Sequence, residues 1–238
     1  MSRYSRRIPD TQLSLLEDNR LAGVINVASV PQRSVFRYPG GKTWFVPYLR
    51  KWLRSLPKKP AELIEPFAGG GIVGLTAAFE NLVEQVTLVE LDPQVAAVWH
   101  TVLSTDATWL AERIVHFDFT PTNVEAELAR SGLSRSEVAF QTILKNRVNR
   151  GGIMAAGAGR IKTGESNKGL ASRWYPQTLG KRILEIATLK DRFRFVEGDG
   201  IAIMRQHVSD IDTVFFIDPP YTAGGKRAGS RLYNYNEI

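Results

Sequence analysis

The chain contains no cysteine, which rules out disulfides and thiolate metal sites. Its three histidines, His100, His116 and His207, lie far apart in sequence, so a histidine-built metal centre is not expected. No apolar run approaches the roughly 18 residues that a membrane helix needs. The first ten residues are polar and arginine-bearing and lack the apolar stretch of a secretory signal. A cytoplasmic location with no membrane partner is the simplest expectation. Acid is also in short supply. The 238 residues hold 24 Asp and Glu against 31 Lys and Arg, a formal net charge of +7. Such a balance favours a polyanionic partner, because each phosphate neutralised by Lys or Arg releases counterions.

What is present suits one large domain, or one domain with an insertion, and a hydrophobic share of 43% is enough for a packed core. Residues 1–35 carry Arg3, Arg6 and Arg7 and read as an N-terminal extension, with a short strand at 24–30. Residues 36–43, FRYPGGKT, form a turn-rich segment leading into a helix with Trp44, Val46, Tyr48, Leu49 and Trp52 as its apolar positions. A strand at 63–65 then runs into Gly69-Gly70-Gly71, followed by a small apolar helix from 72 to about 81 and a second strand at 86–90. Strand, glycine turn, helix and strand make a βαβ unit. A helix with Val95, Val98, Trp99, Val102 and Leu103 on one face follows.

Residues 118–189 have another character. Helices are expected at 123–130 and 135–146, and the stretch 145–190 holds ten Lys or Arg against the two acids Glu165 and Glu185. Strands at 193–196 and 213–217 complete an α/β sheet interrupted by a basic insertion.

The sharpest motif is Asp218-Pro219-Pro220-Tyr221, directly after the apolar run Val214, Phe215, Phe216, Ile217. The plain alternative is an Asp that opens a proline turn. The same geometry also places a carboxylate and a proline carbonyl close together at the C-terminal edge of the sheet, where open α/β sheets bind ligands. Such a pair suits the exocyclic amine of adenine, whose lone pair is delocalised into the ring. Asp218 and the Pro219 carbonyl each accept one N–H, which favours a tetrahedral nitrogen, and Tyr221 offers a ring for stacking. A base in duplex DNA must flip out to reach such a pocket.

Gly69, Gly71 and Gly74 fit the pattern G-x-G-x-x-G, with Glu90 about twenty residues on, placed to hold a ribose diol. That pattern serves nicotinamide dinucleotides as well as other adenosine cofactors, but hydride transfer has no use for Asp-Pro-Pro-Tyr. Gly41-Lys42-Thr43 is not a phosphate-binding loop, because Phe36 stands where the first glycine is needed.

The succession Tyr38-Pro39-Gly40-Gly41-Lys42, Glu65-Pro66-Phe67-Ala68-Gly69-Gly70-Gly71, an acid ending the second strand, a basic insertion and Asp-Pro-Pro-Tyr resembles the Dam-type, alpha-group DNA adenine methyltransferases. The similarity covers about residues 36–238. It implies a Rossmann-like methyltransferase sheet at 36–117 and 190–238, a mostly helical, basic target-recognition insertion at 118–189, and S-adenosyl-L-methionine as cofactor. By this resemblance Tyr38, Lys42, Glu65, Phe67, Gly69, Gly71, Glu90, Asp199 and Asp218 form the cofactor site. Asp199 meets the adenine ring, and Asp218, Pro219, Pro220 and Tyr221 are catalytic. Asn146, Arg147, Asn149, Arg150, Arg160 and Lys162 are the candidates for contact with double-stranded DNA around a flipped adenine. Phosphate contacts are expected more often than base contacts. Trp174 and Tyr175 are either base-stacking groups or core.

The implied reaction is methyl transfer to adenine N6 in DNA. Cytosine N4, an RNA adenine, or a catalytically inert DNA-binding remnant are the other readings, and a restriction endonuclease is a partner compatible with the family. One departure stands out. The family continues past Asp-Pro-Pro-Tyr with three strands and two helices, whereas residues 222–238 alone follow here. The expectation is a catalytic domain that stops short of its C-terminal strands, as a fragment, a truncated product or half of a split enzyme.

Overall fold

The structure, a computed structural model, describes residues 29–37, 41–155, 157–164 and 167–220. The strand expected at 24–30 falls almost wholly outside these residues, and Tyr38 and Tyr221 lie outside them. The chain divides into two units, Met1–Pro31 and Gln32–Ile238, and the site lies within the second. The stretch 118–189 does not separate from that unit as a body of its own.

A parallel four-stranded sheet organises the second unit. It is formed by β1 (Glu62–Glu65), β2 (Gln85–Glu90), β3 (Phe193–Glu197) and β4 (Thr213–Phe215), in the order β3-β2-β1-β4. Leu63 and Ile64 of β1 and Val86, Leu88 and Val89 of β2 are all fully buried. Near-continuous apolar runs of this kind mark strands covered on both faces by crossover helices. Register is direct: Leu63 lies opposite Val86 on one side and Val214 on the other. The chain moves outward from β1 through β2 to β3, then returns to the opposite side of β1 for β4. The strand order therefore reverses beside β1, the position where parallel sheets open a crevice at their C-terminal edge.

Eight α-helices accompany the sheet among the described residues: α1 (Val46–Ser55), α2 (Ile72–Phe79), α3 (Pro93–Val102), α4 (Ala107–Val115), α5 (Pro121–Leu128), α6 (Arg135–Val148), α7 (Pro176–Ala187) and α8 (Gly200–His207). Their ends follow local chemistry. Asp92 caps α3 by accepting from the Gln94 and Val95 amides, with Pro93 in the first turn. Ser134 and Glu137 close a reciprocal capping box on α6. Helix α3 packs on α6, and α4 on α7.

The strands lie where the sequence pattern puts them, except that β4 stops at Phe215. The Phe216 amide still bonds to the Ile64 carbonyl at 3.0 Å, but prolines 219 and 220 have no N–H with which to continue a ladder. Trp174 resolves as core. It is 9% exposed and stacks on Phe119 at 4.9 Å. Its neighbour Tyr175 is half exposed.

Candidate active site

Because all four strands are parallel, their C-terminal ends share one edge, and each delivers acid there. Glu65 ends β1, Glu90 ends β2, Asp199 follows β3, and Asp218 follows β4. These four border one cavity of about 630 Å³, together with Lys42, Phe67, Gly69, Gly71 and Pro220. The volume falls within the range of small-molecule and cofactor sites.

The glycine turn is shaped from below. Gly71 has φ 60° and caps α2, and a Cβ there would stand 2.7 Å from the buried Trp99 ring. The Trp99 indole N–H in turn donates to the Gly69 carbonyl at 3.0 Å. Gly74 is needed for packing, since a Cβ would meet Val86 and Glu65 at 2.8 Å. The turn therefore presents backbone to the cavity at close range.

Glu90 reaches back to this turn. Its Oε2 accepts the Gly69 amide at 2.9 Å, and its Oε1 accepts the Leu91 and Asp92 amides, each at 2.9 Å. Burial pushes the carboxyl up to about 7, against the pull of these three amides. Oε2 has one protein donor and a lone pair left for a hydroxyl. Asp199 accepts the Ile201 amide at 2.8 Å and so caps α8, with its carboxylate at the cavity edge.

Around β1 and β4 the charges are coupled. Lys42 Nζ lies 2.5 Å from Asp218 Oδ2. Glu65 is 4% exposed and accepts the Gly74 amide at 2.9 Å. Burial raises its carboxyl to about 8, and the Asp218 charge adds to the rise. Near pH 7 the group holds its proton and stands as a neutral acid beside Asp218. Phe216 packs on Phe45 at 5.2 Å and also borders the cavity.

The acids, the glycine turn and Pro220 thus share one cavity, and the first part of that assembly is recognisable on its own. Residues 38–126 match the family of D12 class N6 adenine-specific DNA methyltransferases. The match supports DNA adenine N6 methylation as the activity and the chain as an enzyme, in line with the resemblance to Dam-type adenine methyltransferases. It spans the glycine turn, Glu65 and Glu90 and ends before Asp218. No curated protein matches the chain.

The candidate DNA contacts need revision. Asn146 is fully buried and clamps Arg37, accepting its amide and donating to its carbonyl, each at 2.9 Å. Arg147 is 4% exposed and donates to the Val35 carbonyl at 2.5 Å. Asn149 is buried, bonded to the Ile153 carbonyl and to Arg160. These three side chains are not presented to a duplex: Asn146 and Asn149 are spent on internal bonds, and Arg147 is buried at the main cavity. Arg160 is half-buried and also reaches Glu125 at 3.4 Å. Arg150 and Lys162 are exposed and border a second, more open depression of about 310 Å³ beside Gly151.

The sequence reading missed Arg37, Arg173 and Arg182, which also line the main cavity. Position in a basic stretch was their only signal. Among the described residues no group of His, Asp or Glu is arranged to hold a metal, and no helix is long and apolar enough to cross a membrane.

Proposed function

We propose that this chain methylates the N6 amine of a flipped adenine in double-stranded DNA, with S-adenosyl-L-methionine bound in the strand-end cavity of a Rossmann-like sheet. The observation that carries the proposal is the convergence of the glycine turn, Glu90, Asp218 and Pro220 on one cavity. The residues fit the cofactor. A turn without side chains admits close approach to a ligand, Glu90 keeps an acceptor for a ribose hydroxyl, and Asp199 edges the far side, where an adenine ring is expected. Lys42 and Phe67 border the same space. Bound there, the cofactor supplies a methyl group already activated on its sulfonium for direct transfer to nitrogen.

The chain's own part is to prepare the nitrogen. Asp218 Oδ2 is engaged by Lys42, which fixes the carboxylate and leaves Oδ1 for one N–H of the amine. The Pro219 carbonyl takes the other. Two acceptors draw the nitrogen toward a tetrahedral shape, and the carboxylate stabilises the positive charge that develops as the bond forms. Glu65, kept neutral by burial, adds no second charge beside it. Tyr221 is assigned the base-stacking role. The basic region at 118–189 is the target-recognition element of a cytoplasmic enzyme. Within it, exposed Arg150 and Lys162, with Arg160 behind them, track the DNA backbone.

The experiment is methyl transfer from labelled S-adenosylmethionine to unmethylated duplex DNA, followed by nucleoside analysis. N6-methyladenine is the expected product. Label found only in N4-methylcytosine, or only in RNA, overturns the proposal.

A further inference from the structure

Four arginines, Arg37, Arg147, Arg173 and Arg182, border the same cavity as the glycine turn. Residues 34–37 form a strap. Ser34 Oγ donates to the Gly70 carbonyl at 2.5 Å, which fastens the strap to the glycine turn. Arg147 donates to the Val35 carbonyl at 2.5 Å and Arg182 to the Ser34 carbonyl at 3.2 Å. The strap thus links the glycine turn to α6 and α7, which carry Arg147 and Arg182.

Arg147 is the unusual member. It is 4% exposed, and its Nε is shut off from solvent with no hydrogen-bond partner among the described residues. Burial pulls its pKa down to about 9, and the charges of Arg182, Arg37 and Arg173 pull in the same direction. A buried cation beside other cations is strongly disfavoured unless an anion joins it. Planar guanidinium groups favour a carboxylate or phosphate that accepts two parallel bonds.

The depth of Arg147 decides between these anions. A backbone phosphodiester carries sugars on both sides and needs an open groove, whereas a terminal carboxylate can enter a closed one. The methyl donor has one anionic group, the carboxylate of its amino-acid end. Its sulfonium and its amine are cationic. We infer that Arg147, with Arg182 and Arg173, forms a carboxylate subsite for the amino-acid end of the methyl donor. The inference rests on the methyltransferase reading. The cavity then has polarity along its length. Arginines take the carboxylate, and the ligand is oriented with its methyl group toward the amine acceptors at Asp218.

Calorimetry with two ligands tests this: S-adenosylmethionine and its decarboxylated form, which keeps the sulfonium and the amine. The wild type should prefer the carboxylated ligand by at least about tenfold, since an ionised hydrogen-bonded pair typically contributes that much or more. Arg182→Gln should erase most of that preference while leaving affinity for the decarboxylated ligand unchanged. Arg147→Lys, which keeps the charge but removes Nε, should reduce it severalfold, with a melting curve to check the fold. Equal weakening of both ligands by Arg182→Gln, or an untouched preference, overturns the subsite. A variant that keeps the preference but flattens the salt dependence of duplex binding assigns the arginines to phosphate and likewise overturns it. Wild-type protein that binds neither ligand overturns the methyltransferase reading itself.

Discussion

The two walls of the cavity are built in opposite ways. The acidic wall consists of strand ends. Glu65, Glu90 and Asp218 sit there because parallel strands terminate along one edge, and backbone amides fix the first two. The basic wall consists of long side chains from α6, α7 and the turn before α7, tied to a strap more than 100 residues away in sequence. Strand pairing and backbone amides set the acidic wall, and side-chain bonds to a distant strap set the basic wall. The acidic side is therefore suited to chemistry that tolerates no drift, and the basic side to gripping a ligand that must enter and leave.

The contrast breaks most sharply at Asp218. Asp218→Ala should lower methyl transfer a hundredfold or more, about 3–4 kcal/mol of transition-state stabilisation, with cofactor affinity nearly unchanged by calorimetry. Equal loss of binding and turnover would place Asp218 in the cofactor site alone.

Glu65 gives the next largest effect, on stability. Its folded pKa, about 8, lies above the ordinary carboxyl value of 4.5. The folded state thus binds the proton more tightly. The stability this contributes is complete below pH 4.5 and is lost as pH rises through about 8. Denaturant titration should show the wild type losing on the order of 3 kcal/mol between pH 5 and 8 relative to Glu65→Gln, at roughly 1.4 kcal/mol per pH unit. Parallel pH profiles for the two proteins would contradict the buried neutral acid.

Glu90 sharpens the comparison through binding. As a carboxylate it accepts ribose hydroxyls best, and its pKa stands at about 7. Affinity for S-adenosylmethionine should therefore fall as pH drops below 7, by about tenfold per unit at the limit. Glu90→Gln should bind more weakly and lose that dependence. The smallest effect belongs to the outer basic face. Replacing Arg150 and Lys162 with Gln should reduce the log–log salt slope of duplex binding by about 2, roughly one per phosphate contact. An unchanged slope would take these two residues off the DNA.

How much of this was legible follows from the same division. Glycine turn, strand-end acids and the Asp-Pro-Pro segment are contiguous strings whose function depends on local geometry, and the structure brings Glu65, Glu90, Asp199 and Asp218 to one cavity. Helix α4 carried a readable signal in Ala107, Leu110, Ala111 and Ile114, all buried at helical spacing, as did α7 with Pro176 in its first turn. Neither was anticipated, because the basic character of the neighbouring stretch drew attention to charge instead of period. Asn146, Arg147 and Asn149 show the converse error. Polar residues in a basic run look like surface, yet these three are interior fasteners. Nothing in a local window distinguishes an arginine that faces solvent from one that bonds to a carbonyl 112 residues earlier.

The pairing of Asn146 with Arg37 has a consequence for how the cavity comes into being. One side-chain amide takes both backbone groups of a residue 109 positions away, imitating a step of β-ladder without a second strand. Loop closure over that distance is entropically slow, whereas β1, α2 and β2 close within a few tens of residues. Of the acidic wall, Glu65 and Glu90 can assemble early, whereas Asp199 and Asp218 wait for β3 and β4, which pair over more than 100 residues themselves. The basic half waits for the strap, so a ligand-ready pocket is among the last things the chain acquires and, on the way out, among the first it loses.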